Sequence, residues 1–120
     1  VIPVANEAGI ASSLSDHFGR APFFAVFEID ENDQARFVKT LPNRSEHFGG
    51  LGSPLDVILQ VNPNAVITHG MGPRALSRFQ DTKVAVLRAN SSSVRTVLES
   101  YVKDELEELT EGCHQARHKI

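Results

Sequence analysis

After residue 53 the chain alternates short apolar runs with helix signals, and this alternation constrains the fold more than any other feature. Residues 65–68 (AVIT) and 83–87 (KVAVL) are too short for helices and too apolar for surface loops, so both read as buried strands. Between them Pro73 opens a short helix reaching about Gln80. A strand, a helix and a second strand in that order form a crossover unit with parallel strands and right-handed connection. Such a unit needs helices over its sheet, so the expected class is α/β.

The preceding segments fit the same scheme. Ser53, Pro54 and Asp56 are an N-cap, a first-turn proline and a first-turn acid, and Leu55, Ile58 and Leu59 give that helix an apolar face until 62–64 (NPN) stops it. Residues 22–30 (PFFAVFEID) are the strongest strand signal. Phe23, Ala25, Phe27 and Ile29 point one way, and Phe24 and Val26 the other. A polar turn at 31–33 and a return strand over 35–41 complete a hairpin. Residues 1–5 (VIPVA) read as a first strand, with Pro3 near its exit because proline has no N–H for a ladder. A last helix follows Ser91, Ser92 and Ser93, with Val94, Val97, Leu98, Tyr101 and Val102 on one stripe. Right-handed crossovers then place the fourth strand beside the first, the fifth outside it, and the hairpin on the first strand's other side. The expected fold is a mixed five-stranded sheet of order 3-2-1-4-5 flanked by helices. Its chain direction changes between strands one and four, which opens a crevice where the loops after Asn6 and His69 meet.

Composition narrows the function. At 120 residues the chain is expected to be a single domain spanning 1–120. Its one cysteine, Cys113, cannot form an internal disulfide, which fits a reducing, cytoplasmic setting. A net charge of -3 offers no basic surface for nucleic acid. No apolar run approaches the roughly 18–20 residues that span a bilayer, and no signal peptide is visible. A chain that opens on Val1 is expected to lack residues that precede it. The acidic stretch 104–111 reads as a solvated face and as the start of a flexible tail from about 104.

The chemistry-bearing residues lie in the expected loops. Five histidines occur, at 17, 47, 69, 114 and 118. Imidazole is a ligand for iron, copper, zinc and nickel, and the Cys113 thiol suits softer clusters. No His-Glu-x-x-His and no Cys-x-x-Cys is present, so a closed zinc site is not expected. Residues 69–74 (HGMGPR) lead into a helix at the crevice and are the better anion candidate; 49–54 (GGLGSP) match neither phosphate-loop spacing. Ser91, Ser92 and Ser93 lack a glycine elbow. The crevice loops offer mainly Asp16, few carboxylates for a two-metal enzyme.

Three stretches carry a resemblance: Ile2-Pro3-Val4-Ala5, Leu14-Ser15-Asp16-His17-Phe18-Gly19-Arg20-Ala21-Pro22-Phe23-Phe24 and Gly70-Met71-Gly72-Pro73-Arg74-Ala75. They resemble the dinitrogenase iron–molybdenum cofactor biosynthesis family, which includes NifX-like proteins, the NafY core domain and the C-terminal domain of some NifB proteins. His-Phe-Gly-Arg-Ala-Pro is the most specific element, and the resemblance covers nearly the whole chain. It implies a ribonuclease H-like fold. It also implies a cytoplasmic, non-enzymatic protein that binds or carries iron–molybdenum cofactor, an iron–sulfur precursor or a related molybdenum cluster, as in nitrogen fixation. The histidine of the motif, implicated in cluster binding, maps to His17. On this reading His17, Gly19, Arg20, Gly70, Met71 and Gly72 surround the cofactor, and His17, His47, His69, Cys113 and His114 are the metal contacts. The expected partners are the cluster and a protein that donates or accepts it, with no nucleic acid and no membrane. His69 departs from the family, where many members carry a small residue. Asn6 stands where a nuclease of this fold wants a metal-binding acid. Two alternatives remain: a metal-dependent nuclease or phosphatase-like enzyme, and a regulatory module that binds a small anion or a protein.

Overall fold

The computed structural model describes residues 1–43 and 54–110. Its elements, in chain order, are β1 (Ile2–Val4), a 3₁₀ turn (Gly9–Ala11), β2 (Phe23–Ile29), β3 (Ala35–Pro42), α1 (Pro54–Leu59), β4 (Ala65–Thr68), α2 (Pro73–Asp81), β5 (Ala85–Arg88), α3 (Val94–Val102) and β6 (Glu107–Glu108). Local chemistry sets several boundaries. The Asp30 carboxylate accepts from the Asn32 and Gln34 N–H groups, both at 2.9 Å, and so closes the β2–β3 turn. Beyond α1, Asn62 adopts a left-handed φ of 54°, which asparagine tolerates better than most residues. Ser93 caps α3, its hydroxyl accepting from the Thr96 N–H at 3.4 Å.

The period of two along each strand builds two cores, one on each side of the sheets. Ala25 of β2, Ala65 and Ile67 of β4, and Ala85 and Leu87 of β5 are buried with Val94, Val97 and Leu98 of α3. The intervening residues, Phe24, Val66 and Val86, are buried with Leu55 and Ile58 of α1 and Phe79 of α2. Phe23, Phe27 and Ile29 pack on the first core, as their alternation with Phe24 predicts.

The strand pairing corrects the expected order. In place of one five-stranded sheet of ribonuclease H-like order, the described residues form two three-stranded sheets, β1-β2-β3 and β4-β5-β6. β2 is antiparallel to both β1 and β3, and β4 is parallel to β5. The sheets meet at Val1, whose nitrogen donates to the Ala65 carbonyl and whose carbonyl accepts from the Ile67 N–H, both at 3.0 Å. The next outward-facing residue on that edge is Pro3, which has no N–H to continue a ladder. Its carbonyl instead accepts from the Ser15 N–H at 3.0 Å, and the Ala5 N–H donates to Ser13 at 2.9 Å. The chain after β1 therefore takes the edge that β4 would have needed.

The acidic stretch is a second correction. Glu107 and Glu108 pair antiparallel with Arg88 and Leu87, and Leu106 and Thr110 are buried. The Thr110 hydroxyl accepts from the Val86 N–H at 3.1 Å, and Leu109 donates to the Val86 carbonyl at 2.7 Å. Glu105 and Glu107 are exposed, as a solvated face requires, but residues 107–110 are held against the edge of β5 rather than forming a tail. Among the described residues no helix is long and apolar enough to cross a membrane.

Phe24 is fully buried and Phe37 is 42% exposed. Phe24→Ala is therefore expected to lower unfolding free energy by about 3–5 kcal/mol. Phe37→Ala, which loses mainly its edge contact with Phe27, should cost under about 1.5 kcal/mol. Urea unfolding midpoints of the two variants provide the comparison.

Candidate functional site

The residue that follows His17 explains how an exposed histidine is held in place. Phe18 is buried, its ring centroid 5.8 Å from Phe24 of β2 and 5.7 Å from Phe79 of α2, the latter edge-on. On the N-terminal side, the Ser15 hydroxyl donates to the His17 carbonyl at 3.0 Å and accepts from the His17 N–H at 3.3 Å. On the C-terminal side stands Asn43, only 6% exposed. Its side-chain amide donates to the Gly19 carbonyl at 3.1 Å and the Ala21 carbonyl at 2.8 Å. Its own N–H donates to Pro22 at 3.0 Å. The His17 loop is therefore nailed by an aromatic ring and stapled from the end of β3.

The facing wall comes from the loop after β4 and from α2. The Thr68 hydroxyl donates to the Gly70 carbonyl at 3.2 Å. Gly72 is the N-cap residue of α2 and Pro73 its first residue, with the Leu76 N–H donating to Gly72 at 3.0 Å. Between the walls lies a cleft of about 780 Å³. His17, Gly19 and Arg20 line one side, and Gly70, Met71 and Gly72 the other, with Arg74 and Arg78 beyond them. Leu55 of α1 also lines the cleft. A Cβ added at Gly19, Gly70 or Gly72 would meet nothing within 4 Å. None of the three has a positive φ. Among the described residues neither backbone strain nor crowding requires glycine there.

All six residues expected to surround a cofactor thus converge on one cleft, at the crevice expected after the first and fourth strands. The five expected metal contacts do not converge in the same way. His69 is absent from the cleft lining; its Nε2 lies 3.4 Å from the Ser92 hydroxyl. Alternation along β4 accounts for this: Val66 joins the α1–α2 core and Ile67 the α3 core, so His69 follows Ile67 toward α3. His47, Cys113 and His114 lie outside the described residues, as do His118 and the glycine loop at 49–53. Among the described residues no three His, Cys, Asp or Glu side chains converge as a metal-holding group.

Two features escaped the sequence reading. Asn43 acts across more than twenty residues through side-chain bonds to backbone, which leave no local pattern. Arg78 had a signal: it follows Arg74 of the anion-candidate stretch by four residues, which puts both on one face of the helix that begins at the crevice. Removing the Asn43 amide strands two carbonyls, so Asn43→Ala is expected to lower stability by about 1–3 kcal/mol. Asn43→Asp, which sets a carboxylate oxygen against those carbonyls, should cost at least as much at neutral pH. Denaturant unfolding of both variants checks the pair.

Comparison with known proteins identifies the fold and the family. The chain is 30% identical over 96 residues to the uncharacterized protein MJ0580 of Methanocaldococcus jannaschii, covering 78% of this chain and 80% of that protein. The crystal structure of PH0822 superposes with a TM-score of 0.73 at 23% identity, covering 92% of this chain and 95% of that one. The apo form of the orange protein from Desulfovibrio gigas superposes with a TM-score of 0.72 at 17% identity, covering 89% and 88%. Residues 1–104 match the sequence pattern of the dinitrogenase iron-molybdenum cofactor family, and they include both walls of the cleft. This chain belongs to the dinitrogenase iron-molybdenum cofactor family.

Proposed function

We propose that the protein is a single-domain, non-enzymatic binding or carrier protein for a preassembled metal–sulfur cluster: iron–molybdenum cofactor, an iron–sulfur precursor or a related molybdenum cluster. The observation that carries this reading is the meeting of the family's His-Phe-Gly-Arg motif with the Gly-Met-Gly loop across one cleft. The donor set supports a ready-made cluster over a bare ion. One imidazole and one thioether, on His17 and Met71, line the described cleft. That is too few to build the usual cage for an iron–sulfur cluster. A cluster that brings its own sulfides needs only a few protein contacts.

Each residue then has a role. His17 binds a metal at the cluster surface through a neutral ring nitrogen. Arg20 offsets the cluster's negative charge. Gly19, Gly70 and Gly72 leave the space that lets a bulky cluster approach the backbone. Asp16 is the one carboxylate in the described lining, which favours binding over two-metal hydrolysis. The cluster is cargo, received from one protein and passed to another. His69, turned toward Ser92, has a structural part in the described fold, and His47, Cys113 and His114 are auxiliary contacts.

Anaerobic titration with isolated iron–molybdenum cofactor, followed by gel filtration and visible absorption, tests the reading. His17→Ala is expected to weaken retention by about tenfold or more, ~1.4 kcal/mol, and His69→Ala by less. Gly72→Ala is expected to leave the unfolding midpoint close to wild type while reducing retention. Equal retention by wild type and His17→Ala would remove His17 from the site.

A further inference from the structure

The charge in the cleft runs against the charge of the chain. The protein carries a net -3, yet among the described residues three arginines, Arg20, Arg74 and Arg78, line the cleft beside one acid, Asp16. Arg74 and Arg78 are one turn apart on α2, a spacing at which like charges repel and weaken a helix. Arg74 also lies in the first turn, where the helix dipole favours acids, and that turn has none, whereas Arg78 stands in the last turn, where the dipole favours a cation; only their mutual repulsion and the place of Arg74 oppose the helix. None of the three arginines forms an ion pair with a described residue. Local choices that oppose their own element's stability concentrate at functional sites.

We infer that Arg74 and Arg78 are specificity-determining residues that make this cleft select its ligand by charge, accepting one with at least two negative charges at the α2 end. This rests on reading the cleft as a ligand site and goes beyond the contact assigned to His17. His17 reads a metal. The two guanidinium groups read negative oxygen or sulfur atoms, whatever metal lies behind them, through paired N–H donors. The ligand is held at two ends by different chemistries, which fixes its orientation in the cleft. A metal-free polyanion satisfies one end alone and should occupy the cleft weakly.

Inorganic pyrophosphate serves as the metal-free polyanion and acetate, at matched ionic strength, as the monoanion. Titration calorimetry on the full chain would compare wild type with R74Q/R78Q, R74K/R78K and His17→Ala, with thermal melts confirming that each is folded. Wild type is expected to bind pyrophosphate and not acetate, with affinity falling as salt rises. R74Q/R78Q should lose about tenfold or more, R74K/R78K should keep part of the affinity, and His17→Ala should lose less than R74Q/R78Q. Wild-type affinity in R74Q/R78Q, or no pyrophosphate binding by wild type, would overturn the inference. The two readings fail separately. Arginine-dependent pyrophosphate binding without cluster binding would sink only the cluster reading. Cluster binding that needs His17 but is unchanged in R74Q/R78Q would sink only the charge selection.

Discussion

Phe18 sits against Phe24 on one side and Phe79 on the other, with ring centroids 5.8 and 5.7 Å away. Three parts of the chain meet at that contact: the loop that carries His17, the long strand β2, and the helix α2 that carries Arg74 and Arg78. Close-packed aromatic rings do not slide freely, so the two walls of the cleft are fixed relative to each other through one ring. An exposed histidine beside a buried phenylalanine is thereby positioned with no hydrogen-bond partner for its own side chain among the described residues. Asn43 completes the arrangement by holding the backbone on the far side of the loop.

Pro3 decides where that loop runs. Without an N–H it ends the contact between β1 and β4 after Val1, and the strand edge it vacates is taken by 13–15. Leu14 enters the core beneath α3, and Phe18, four residues later, enters the core beneath α1 and α2. The loop therefore crosses from one face of the sheets to the other at their carboxyl end. His17 stands at the end of that crossing, beside the start of α2. The split into two sheets and the position of the cleft have the same cause.

Much of this was legible in the residues. The alternation in β2, the stripe from Val94 to Val102 and the crossover around α2 were all readable, and so was the crevice at the ends of the first and fourth strands. The break between the sheets was less so, although Pro3 gave a warning: its missing N–H argued against a central strand, but not for a competing segment at 13–15. β6 was hidden because Glu107 and Glu108 look like solvent-facing charge; the burial that fixes them belongs to Leu106 and Thr110 on either side. The place of His69 was hard to read for a simpler reason. Its place in the sequence puts it at the crevice, but strand alternation turns its ring to the opposite face, toward Ser92.

The fold and the family therefore rest on patterns spread along the chain, and the site rests on a few long-range contacts that bring two loops together. The central claim is that the ligand enters between those loops. Amide ¹H–¹⁵N spectra of the full chain, recorded during titration with isolated iron–molybdenum cofactor, test it most directly. Shifts or line broadening concentrated at 16–20 and 70–78 are the predicted result. Perturbations concentrated instead at 28–33 and 98–104, which line a separate cleft formed with the β2–β3 hairpin and the end of α3, would contradict it.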